Sequence, residues 1–208
     1  MGYQLIIYDF DGTLVDSFPF FISIINRLAQ RHKFKVIGPD EIDLLRGQEA
    51  KRILKHLELP RWKIPAVLLD FQRLMSDKVD QIPLFPGVDK MLSTLFEREK
   101  TLAIITSNSF SNVIRILTPK NAAFIHHYQC GVSLFGKPFK IKKILQETGI
   151  PSSKAIYIGD EVRDVEAAQA NGVAFGAVSW GYTTLTTLLQ HMPNEVFSHP
   201  NEVISRLA

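Results

Sequence analysis

The sequence of 208 residues holds one cysteine, Cys130, and no long hydrophobic run. A single cysteine excludes an intrachain disulfide and any metal or redox site built on a Cys-x-x-Cys pair. A membrane-spanning helix needs roughly 18 consecutive apolar residues, and no run in the sequence approaches that length. The first residues also lack the basic and apolar segments of a signal peptide. We therefore expect a cytoplasmic protein with no membrane partner.

A strong charge of either sign is also absent. The sequence has 24 Lys and Arg residues against 21 Asp and Glu residues, for a formal net charge of +3. This excess is too small for a dedicated nucleic-acid-binding protein, so no nucleic-acid partner is expected. With 46% hydrophobic and 22% charged residues, the composition is typical of a globular protein and excludes disorder. The expected state is a monomer or a weak dimer.

Short apolar runs without helical periodicity alternate with helical patterns along most of the chain. The runs predict buried strands over residues 5–8, 101–106, 155–158 and 173–178. Helices are predicted over residues 88–99, 111–117, 141–147 and 162–171. Strands that alternate with helices predict an α/β fold with a doubly wound parallel sheet.

Residues 18–82 interrupt this alternation, because they show helical periodicity and no convincing strand. The pattern predicts a helical insert at residues 17–83, with residues 1–16 and 84–208 forming the α/β core. The insert carries 12 Lys and Arg residues against 8 Asp and Glu residues. Most of these side chains are expected to face solvent, but the positive sign suits an anionic substrate held between insert and core.

Polar side chains follow three of the predicted strands: Asp9 and Asp11, Ser107 and Asn108, and Asp160 and Asp164. Residues that follow separate strands of a parallel sheet converge at its carboxyl edge. Singly, an Asp after a strand is more often a helix cap or a turn residue. Together, several carboxylates in one crevice would repel one another, which favours a hard cation. Oxygen ligands at this density favour Mg²⁺, and Mg²⁺ implies a phosphate.

Four motifs occur in a fixed order along the chain: Asp9-Phe10-Asp11-Gly12-Thr13-Leu14, Ser107-Asn108, a lysine, and Gly159-Asp160-Glu161-Val162-Arg163-Asp164. This set resembles the motifs of the haloacid dehalogenase superfamily of phosphohydrolases. A helical insert directly after the first motif is similar to the small cap domain of the phosphoglycolate-phosphatase-like subgroup. The resemblance implies a Rossmann-like core and a small-molecule phosphorylated substrate.

The chemistry of phosphoryl transfer gives each motif residue a role. Asp9 would be the nucleophile that forms an aspartyl-phosphate. Asp11 would protonate the leaving alcohol and later activate water. The Ser107 hydroxyl, the Asn108 backbone amide and the Lys137 ammonium would hold the phosphoryl oxygens.

The same resemblance implies a set of metal ligands. Mg²⁺ would be held by the Asp9 carboxylate, the Asp11 backbone carbonyl and Asp160. Asp164 would support a metal-bound water or orient the lysine, and Glu161 is expected in the same outer shell. The predicted function is that of a Mg²⁺-dependent phosphatase acting on a small phosphomonoester.

Four lysines stand close together before the last motif. Lys137 is favoured as the phosphate ligand, because Gly136-Lys137-Pro138 matches the pattern of the subgroup. The other three are expected on the solvated face of the next helix: Lys140, Lys142 and Lys143.

The insert offers a possible substrate-facing loop, since Arg46, Gly47 and Lys51 resemble such a loop in the subgroup. The linkers near Asp16-Ser17 and at residues 83–86 are expected to hinge the insert. For residues 180–182, Trp-Gly-Tyr after the fourth strand, two roles stay open: packing beside the metal loops, or a structural role, which is favoured.

Two other functions stay open at this point. A sugar-phosphate mutase of the same superfamily uses the same core and differs in cap residues that the sequence does not position. A binding or regulatory module could keep the fold and lose turnover, although the presence of every catalytic residue type argues against it.

Overall fold

A computed structural model describes residues 2–45, 53, 55–131 and 136–208. Within these residues, parallel strands form one sheet in the order β3-β2-β1-β4-β5-β6. The strands are β1 (Leu5–Tyr8), β2 (Thr101–Ile105), β3 (His127–Gln129), β4 (Ala155–Gly159), β5 (Ala174–Val178) and β6 (Glu195–Phe197). The predicted parallel α/β fold is confirmed.

Helices accompany the sheet on both sides and fill the segment after β1. They are α1 (Phe18–His32), α2 (Ile42–Leu45), α3 (Ile64–Lys78), α4 (Val88–Glu97), α5 (Phe110–Ala122), α6 (Gly136–Thr148), α7 (Val162–Gln169), α8 (Leu185–Leu189) and α9 (Pro200–Leu207). Helix α5 is kinked at Thr118, directly before Pro119. None of the described helices is both long and apolar enough to cross a bilayer.

The central strand β1 shows why the sheet is covered on both faces. Ile6 and Tyr8 point to one face and pack with side chains of α4, α5 and α9. Leu5 and Ile7 point to the other face and pack with α6, α7 and α8. Successive strand residues face opposite sides, so a strand buried on both faces must be apolar throughout.

The strands at the two edges of the sheet were not predicted. Strands β3 and β6 are only three residues long and contain polar residues such as Gln129 and Glu195. An edge strand pairs on one side only and needs no continuous apolar run. These two strands therefore lack the apolar run that marks the inner strands, because they lie at the edges of the sheet.

The segment between β1 and α4 is helical, and α1 packs against α3 within it. Its buried side chains form a separate apolar cluster that includes Phe18, Ile25, Leu28 and Val67. We call residues 18–82 the helical region. Most of its buried apolar side chains pack with one another instead of covering the sheet, whereas Val79 and Ile82 at its end pack with the core cluster around Ile6 and Tyr8.

The two linkers that join the helical region to the α/β core pair with each other. The backbone N–H of Asp16 donates to the Pro83 carbonyl, and the Phe85 N–H donates to the Leu14 carbonyl, both at 3.0 Å. The helical region is therefore anchored immediately after β1, at the carboxyl edge of the sheet.

Candidate active site

Asp9 is the first residue after β1 and its side chain is buried. The Asp9 backbone N–H donates to the carbonyl of Ile158 in the neighbouring strand β4 at 2.8 Å. Only 4% of Asp9 is exposed to solvent. The parallel pairing of β1 with β4 thus places this carboxylate beside the residue that follows β4, which is Asp160.

Asp160 is fully buried and held by two donors from other parts of the chain. The Thr13 hydroxyl donates to its Oδ1, and the Tyr182 backbone N–H donates to its Oδ2, both at 2.8 Å. Two glycines make room for it. A Cβ atom on Gly12, whose φ is +82°, would lie 2.4 Å from Asp160 Oδ2, and one on Gly181 would lie 2.1 Å from Asp160 Cβ. Both positions therefore require glycine.

Three buried carboxylates meet at this edge of the sheet. One oxygen from each of Asp9, Asp160 and Asp164 lies within 4.8 Å of the others. Burial, together with repulsion from Asp164, raises the pKa of Asp9 to about 7, although Lys137 opposes the shift. Burial and repulsion from Asp9 raise the pKa of Asp160 well above its ordinary value. A hard divalent cation would relieve this repulsion, so the donor set fits Mg²⁺.

Lys137 lies in the first turn of α6 and reaches the same carboxylates. Its Nζ is 3.0 Å from Asp9 Oδ1 and also contacts Asp164 Oδ1 directly. Burial opposes the charge on Lys137, but Asp164 and Asp9 outweigh it and raise the pKa of this ammonium above its ordinary value. Lys137, which the sequence favoured as the phosphate ligand, thus contacts the predicted nucleophile Asp9. Lys137 carries a positive charge in this contact.

Asp164 is placed to orient Lys137. It lies in the first turn of α7, where its Oδ2 accepts the Glu161 backbone N–H at 3.0 Å. Its Oδ1 accepts the Tyr157 hydroxyl at 3.1 Å in addition to the Lys137 ammonium. Both oxygens are therefore engaged by protein donors. Glu161 lies further out, with its Oε2 4.0 Å from Lys137 Nζ.

Asp11 lies beside the start of the helical region. The Ser17 hydroxyl donates to Asp11 Oδ1 at 2.7 Å, and the Tyr182 hydroxyl lies 2.5 Å from Ser17 Oγ. Burial raises the pKa of Asp11, while the hydrogen bond from Ser17 partly opposes the shift. A carboxyl group with a raised pKa holds its proton closer to neutral pH, as a general acid requires.

Ser107 and Asn108 follow β2 at the same edge. Ser107 is exposed and Asn108 is half-buried. The Asn108 backbone N–H donates to Thr106 Oγ1 at 2.9 Å. To bind a phosphoryl oxygen as predicted, this N–H would have to share or exchange the bond to Thr106.

The expectation that Lys140 faces solvent is wrong. Lys140 is only 7% exposed, and its Nζ donates to the carbonyls of Thr106 and Gly131 at 2.6 and 2.5 Å. Helix α6 begins several residues earlier than predicted, and this position turns toward the strand ends. Lys142 and Lys143 are exposed as expected.

Comparisons with known proteins decide the family of this chain. The family model for haloacid dehalogenase-like hydrolases matches residues 6–178. The chain belongs to this family. A phosphoglycolate phosphatase of Synechococcus elongatus is 31% identical over 202 residues, which covers 97% of this chain and 95% of that protein. A phosphoglycolate phosphatase of Aquifex aeolicus is 22% identical over 205 residues, with the same coverage of 97% and 95%.

A solved structure supports the same fold. A haloacid dehalogenase-like family protein from Streptococcus pneumoniae superposes with a TM-score of 0.86 at 22% identity, and the match covers 98% of this chain and 97% of that one. The family model and the curated relatives confirm the predicted superfamily, its phosphoglycolate-phosphatase-like resemblance and the predicted phosphatase class.

The predicted substrate-facing loop of this haloacid dehalogenase-like hydrolase belongs to the helical region. Arg46, Gly47 and Lys51 lie outside the described residues. Their proposed contact with substrate stays a prediction.

Sequence reasoning missed several residues that support the site. Tyr182 was expected to be structural, yet its N–H binds Asp160 and its hydroxyl contacts Ser17. The Trp180 indole N–H donates to the Thr13 carbonyl at 3.0 Å. Residues 180–182 follow β5 at the carboxyl edge, and that position was the signal that could have placed them beside the metal loops.

Proposed function

We propose that this haloacid dehalogenase-like hydrolase is a Mg²⁺-dependent phosphatase that hydrolyses a small phosphomonoester through a phosphorylated Asp9. The observation that carries the proposal is the contact of the Lys137 ammonium with Asp9 inside a buried cluster of carboxylates. Phosphoglycolate is the first candidate substrate, because the curated relatives are named for it.

Asp9 and Asp160 would hold the ion through their carboxylates, and Asp11 through its backbone carbonyl. Asp164 is better suited to orienting Lys137, since both of its oxygens already accept protein donors. When bound, Mg²⁺ supplies positive charge that lets an anionic phosphoryl group approach the anionic Asp9.

The first displacement needs a nucleophile and a proton donor. A carboxylate oxygen of Asp9 forms a bond to phosphorus, and the bond from phosphorus to the ester oxygen breaks. The leaving oxygen takes the proton that Asp11 carries, for which the raised pKa of Asp11 is suited. The Ser17 hydroxyl, 2.7 Å from Asp11 Oδ1, keeps that carboxyl group in position.

The second displacement removes the phosphoryl group from Asp9 and restores the free enzyme. Asp11, now a carboxylate, accepts a proton from water as the water oxygen bonds to phosphorus. The bond from phosphorus to Asp9 breaks, and inorganic phosphate leaves. The Lys137 ammonium, the Ser107 hydroxyl and the Asn108 backbone N–H would stabilise the negative charge on the phosphoryl oxygens in both steps.

The helical region would act as a cap that excludes water and selects the substrate. It begins directly after the first motif, and its linkers pair between Leu14 and Phe85. Because Pro83 and Phe85 are paired to the core edge, a moving cap would end at Ile82, and its hinges would lie at Ser17 and Ile82 instead of at the predicted residues 83–86. Apart from residue 83, the domain boundaries of the sequence prediction suit this proposal.

Phosphate release tests the proposal. The wild-type protein is expected to hydrolyse p-nitrophenyl phosphate and phosphoglycolate only with Mg²⁺. Asp9→Asn is expected to lower kcat/KM by about 10³-fold or more, while Asp89→Asn, an exposed carboxylate on α4, is expected to leave it unchanged. Absence of turnover with every metal and substrate, or equal rates in Asp9→Asn, would overturn the proposal.

Incubation with β-glucose 1-phosphate distinguishes the mutase alternative, which yields an isomer and no free phosphate.

A further inference from the structure

Lys140 is a buried ammonium that the proposed mechanism does not use. It lies one helical turn after Lys137 on α6 and is 7% exposed. Its contacts are two backbone carbonyls, those of Thr106 and Gly131. Within the described residues it forms no ion pair with a carboxylate, in contrast to Lys137.

Those two carbonyls belong to the loops that follow β2 and β3. Thr106 directly precedes Ser107 and Asn108, the predicted phosphoryl-binding residues. The Gly131 backbone N–H donates to the Asn108 carbonyl at 2.7 Å. One ammonium therefore connects both ends of the segment 106–108, directly through Thr106 and indirectly through Gly131.

Burying an ammonium without a carboxylate partner is unfavourable. Burial lowers the pKa of Lys140, and the nearby charge of Lys137 acts in the same direction, while Cys130 and Asp9 oppose the shift without reversing it. An apolar side chain at this position would avoid that cost, but it would leave the buried Thr106 carbonyl and the part-buried Gly131 carbonyl without this donor. Hydrogen bonds from a charged donor are stronger than neutral ones, so the arrangement restrains the loop more firmly than a neutral donor would.

We propose that Lys140 is a positioning residue, which fixes the segment 106–108 so that Ser107 and Asn108 face the phosphoryl oxygens of the substrate. This role rests on the phosphatase chemistry proposed above. Lys140 acts on the substrate through the loop and makes no contact with the reacting atoms. Its loss should weaken phosphate binding and leave the carboxylate cluster, which follows strands β1 and β4, able to bind metal.

The test compares Lys140→Met with Lys142→Met, an exposed lysine on the same helix. For each variant we measure the inhibition constant of inorganic phosphate, the KM and kcat for p-nitrophenyl phosphate, and the Mg²⁺ concentration for half-maximal activity. Lys140→Met is expected to weaken phosphate inhibition and raise KM about tenfold. Its Mg²⁺ requirement should stay within about twofold of wild type, and Lys142→Met should match wild type throughout.

The outcomes separate the two proposals. A wild-type protein that neither binds phosphate nor turns over overturns the phosphatase proposal and this role with it. An active wild type with unchanged phosphate affinity in Lys140→Met overturns the role of Lys140 alone, as does an equal loss of phosphate and Mg²⁺ affinity.

If Lys140→Met does not fold, Lys140→Gln tests the role of Lys140 instead. Gln keeps one donor group on a shorter, neutral chain, so a phosphate affinity weakened at least about threefold supports the role, and an unchanged affinity overturns it.

Discussion

The α/β core and the helical region place their polar groups in different ways. In the core, buried strands deliver Asp9 and Asp160 to one edge, and backbone pairing between β1 and β4 sets their separation. In the helical region, side-chain contacts do the positioning, such as Glu41 Oε1 with Lys35 Nζ at 2.6 Å and with His56 Nε2 at 2.9 Å. Backbone pairing gives a rigid frame, whereas contacts between side chains permit rearrangement. This difference fits the proposed function, in which the chemistry takes place in the core and the helical region controls access to it.

Loss of a carboxylate in the core should reduce activity more than any other change considered. Asp160→Asn is expected to lower kcat/KM by about 10³-fold and to weaken Mg²⁺ activation, because it removes a negative charge from the proposed metal site. Steady-state kinetics over a range of Mg²⁺ concentrations measure both effects, with Asp89→Asn as the control. Full activity at ordinary Mg²⁺ concentrations would show that the chemistry does not depend on this carboxylate.

A packing defect in the helical region should stay local. Leu28 on α1 is fully buried, and Leu28→Ala is expected to destabilise this region by about 2–5 kcal/mol. Leu44, 65% exposed, is the matched control, with an expected change within about 0.5 kcal/mol for Leu44→Ala. Amide hydrogen exchange should accelerate in α1 and α3 and stay slow in β1 and β4. Equal acceleration in the strands would mean that the two regions unfold as one unit.

The core of the metal-free protein should become less stable as the pH rises. Burial raises the pKa of Asp9 from 3.8 to about 7, so between these pH values the folded protein holds a proton that the unfolded chain releases. The contribution of Asp9 to the free energy of unfolding is then complete below about pH 4 and falls by about 4 kcal/mol by about pH 7. Denaturant unfolding in a chelating buffer measures this slope. Asp9→Asn should flatten it, and an unchanged slope in that variant would refute the assignment to Asp9.

The ion pair between Arg115 of the core and Asp80 of the helical region should contribute less to the free energy of unfolding. Arg115 on α5 donates to Asp80 Oδ1 and Oδ2 at 3.0 and 2.7 Å and to the Ser76 carbonyl at 2.7 Å. Because these side chains are 39% and 59% exposed, a double-mutant cycle of Arg115→Ala with Asp80→Ala should give a coupling of about 0.5–1 kcal/mol. A coupling near zero would mean that this ion pair does not help to hold the two regions together.

The helical region should respond to acid with the opposite sign from the core. The hydrogen bonds from Lys35 and from the Gly38 backbone N–H lower the pKa of Glu41 from 4.5 to about 2. The resulting stabilisation is complete above pH 4.5 and is lost as the pH falls toward 2. Acid unfolding followed by hydrogen exchange in α1 should therefore begin at higher pH in Glu41→Gln. Identical acid profiles for the two proteins would remove Glu41 from this account.

The core could be predicted well because its signals are local. Strands β1, β2, β4 and β5 are apolar runs, and the residue after each one falls at the carboxyl edge. The edge strands β3 and β6 escaped because they are short and partly polar. Predicting the position of Lys140 required the true start of α6, which its weak apolar periodicity does not mark.

Contacts between distant segments could be predicted only where both partners follow a strand at the carboxyl edge, as Asp9 and Asp160 do. Ser17 and Tyr182 are 165 residues apart in sequence and meet beside Asp11. No local pattern encodes such a contact, because it depends on the order of the strands and on the direction in which α1 leaves the core. The helical region was predicted as helical, but its packing also depends on such long-range contacts.

The most direct test of the central claim is mass spectrometry of the protein quenched in acid during turnover of a phosphomonoester with Mg²⁺. The account predicts one phosphoryl group on the peptide that contains Asp9, and none in Asp9→Asn. Rapid release of inorganic phosphate with no phosphorylated protein, or a phosphoryl group on any other residue, would contradict it.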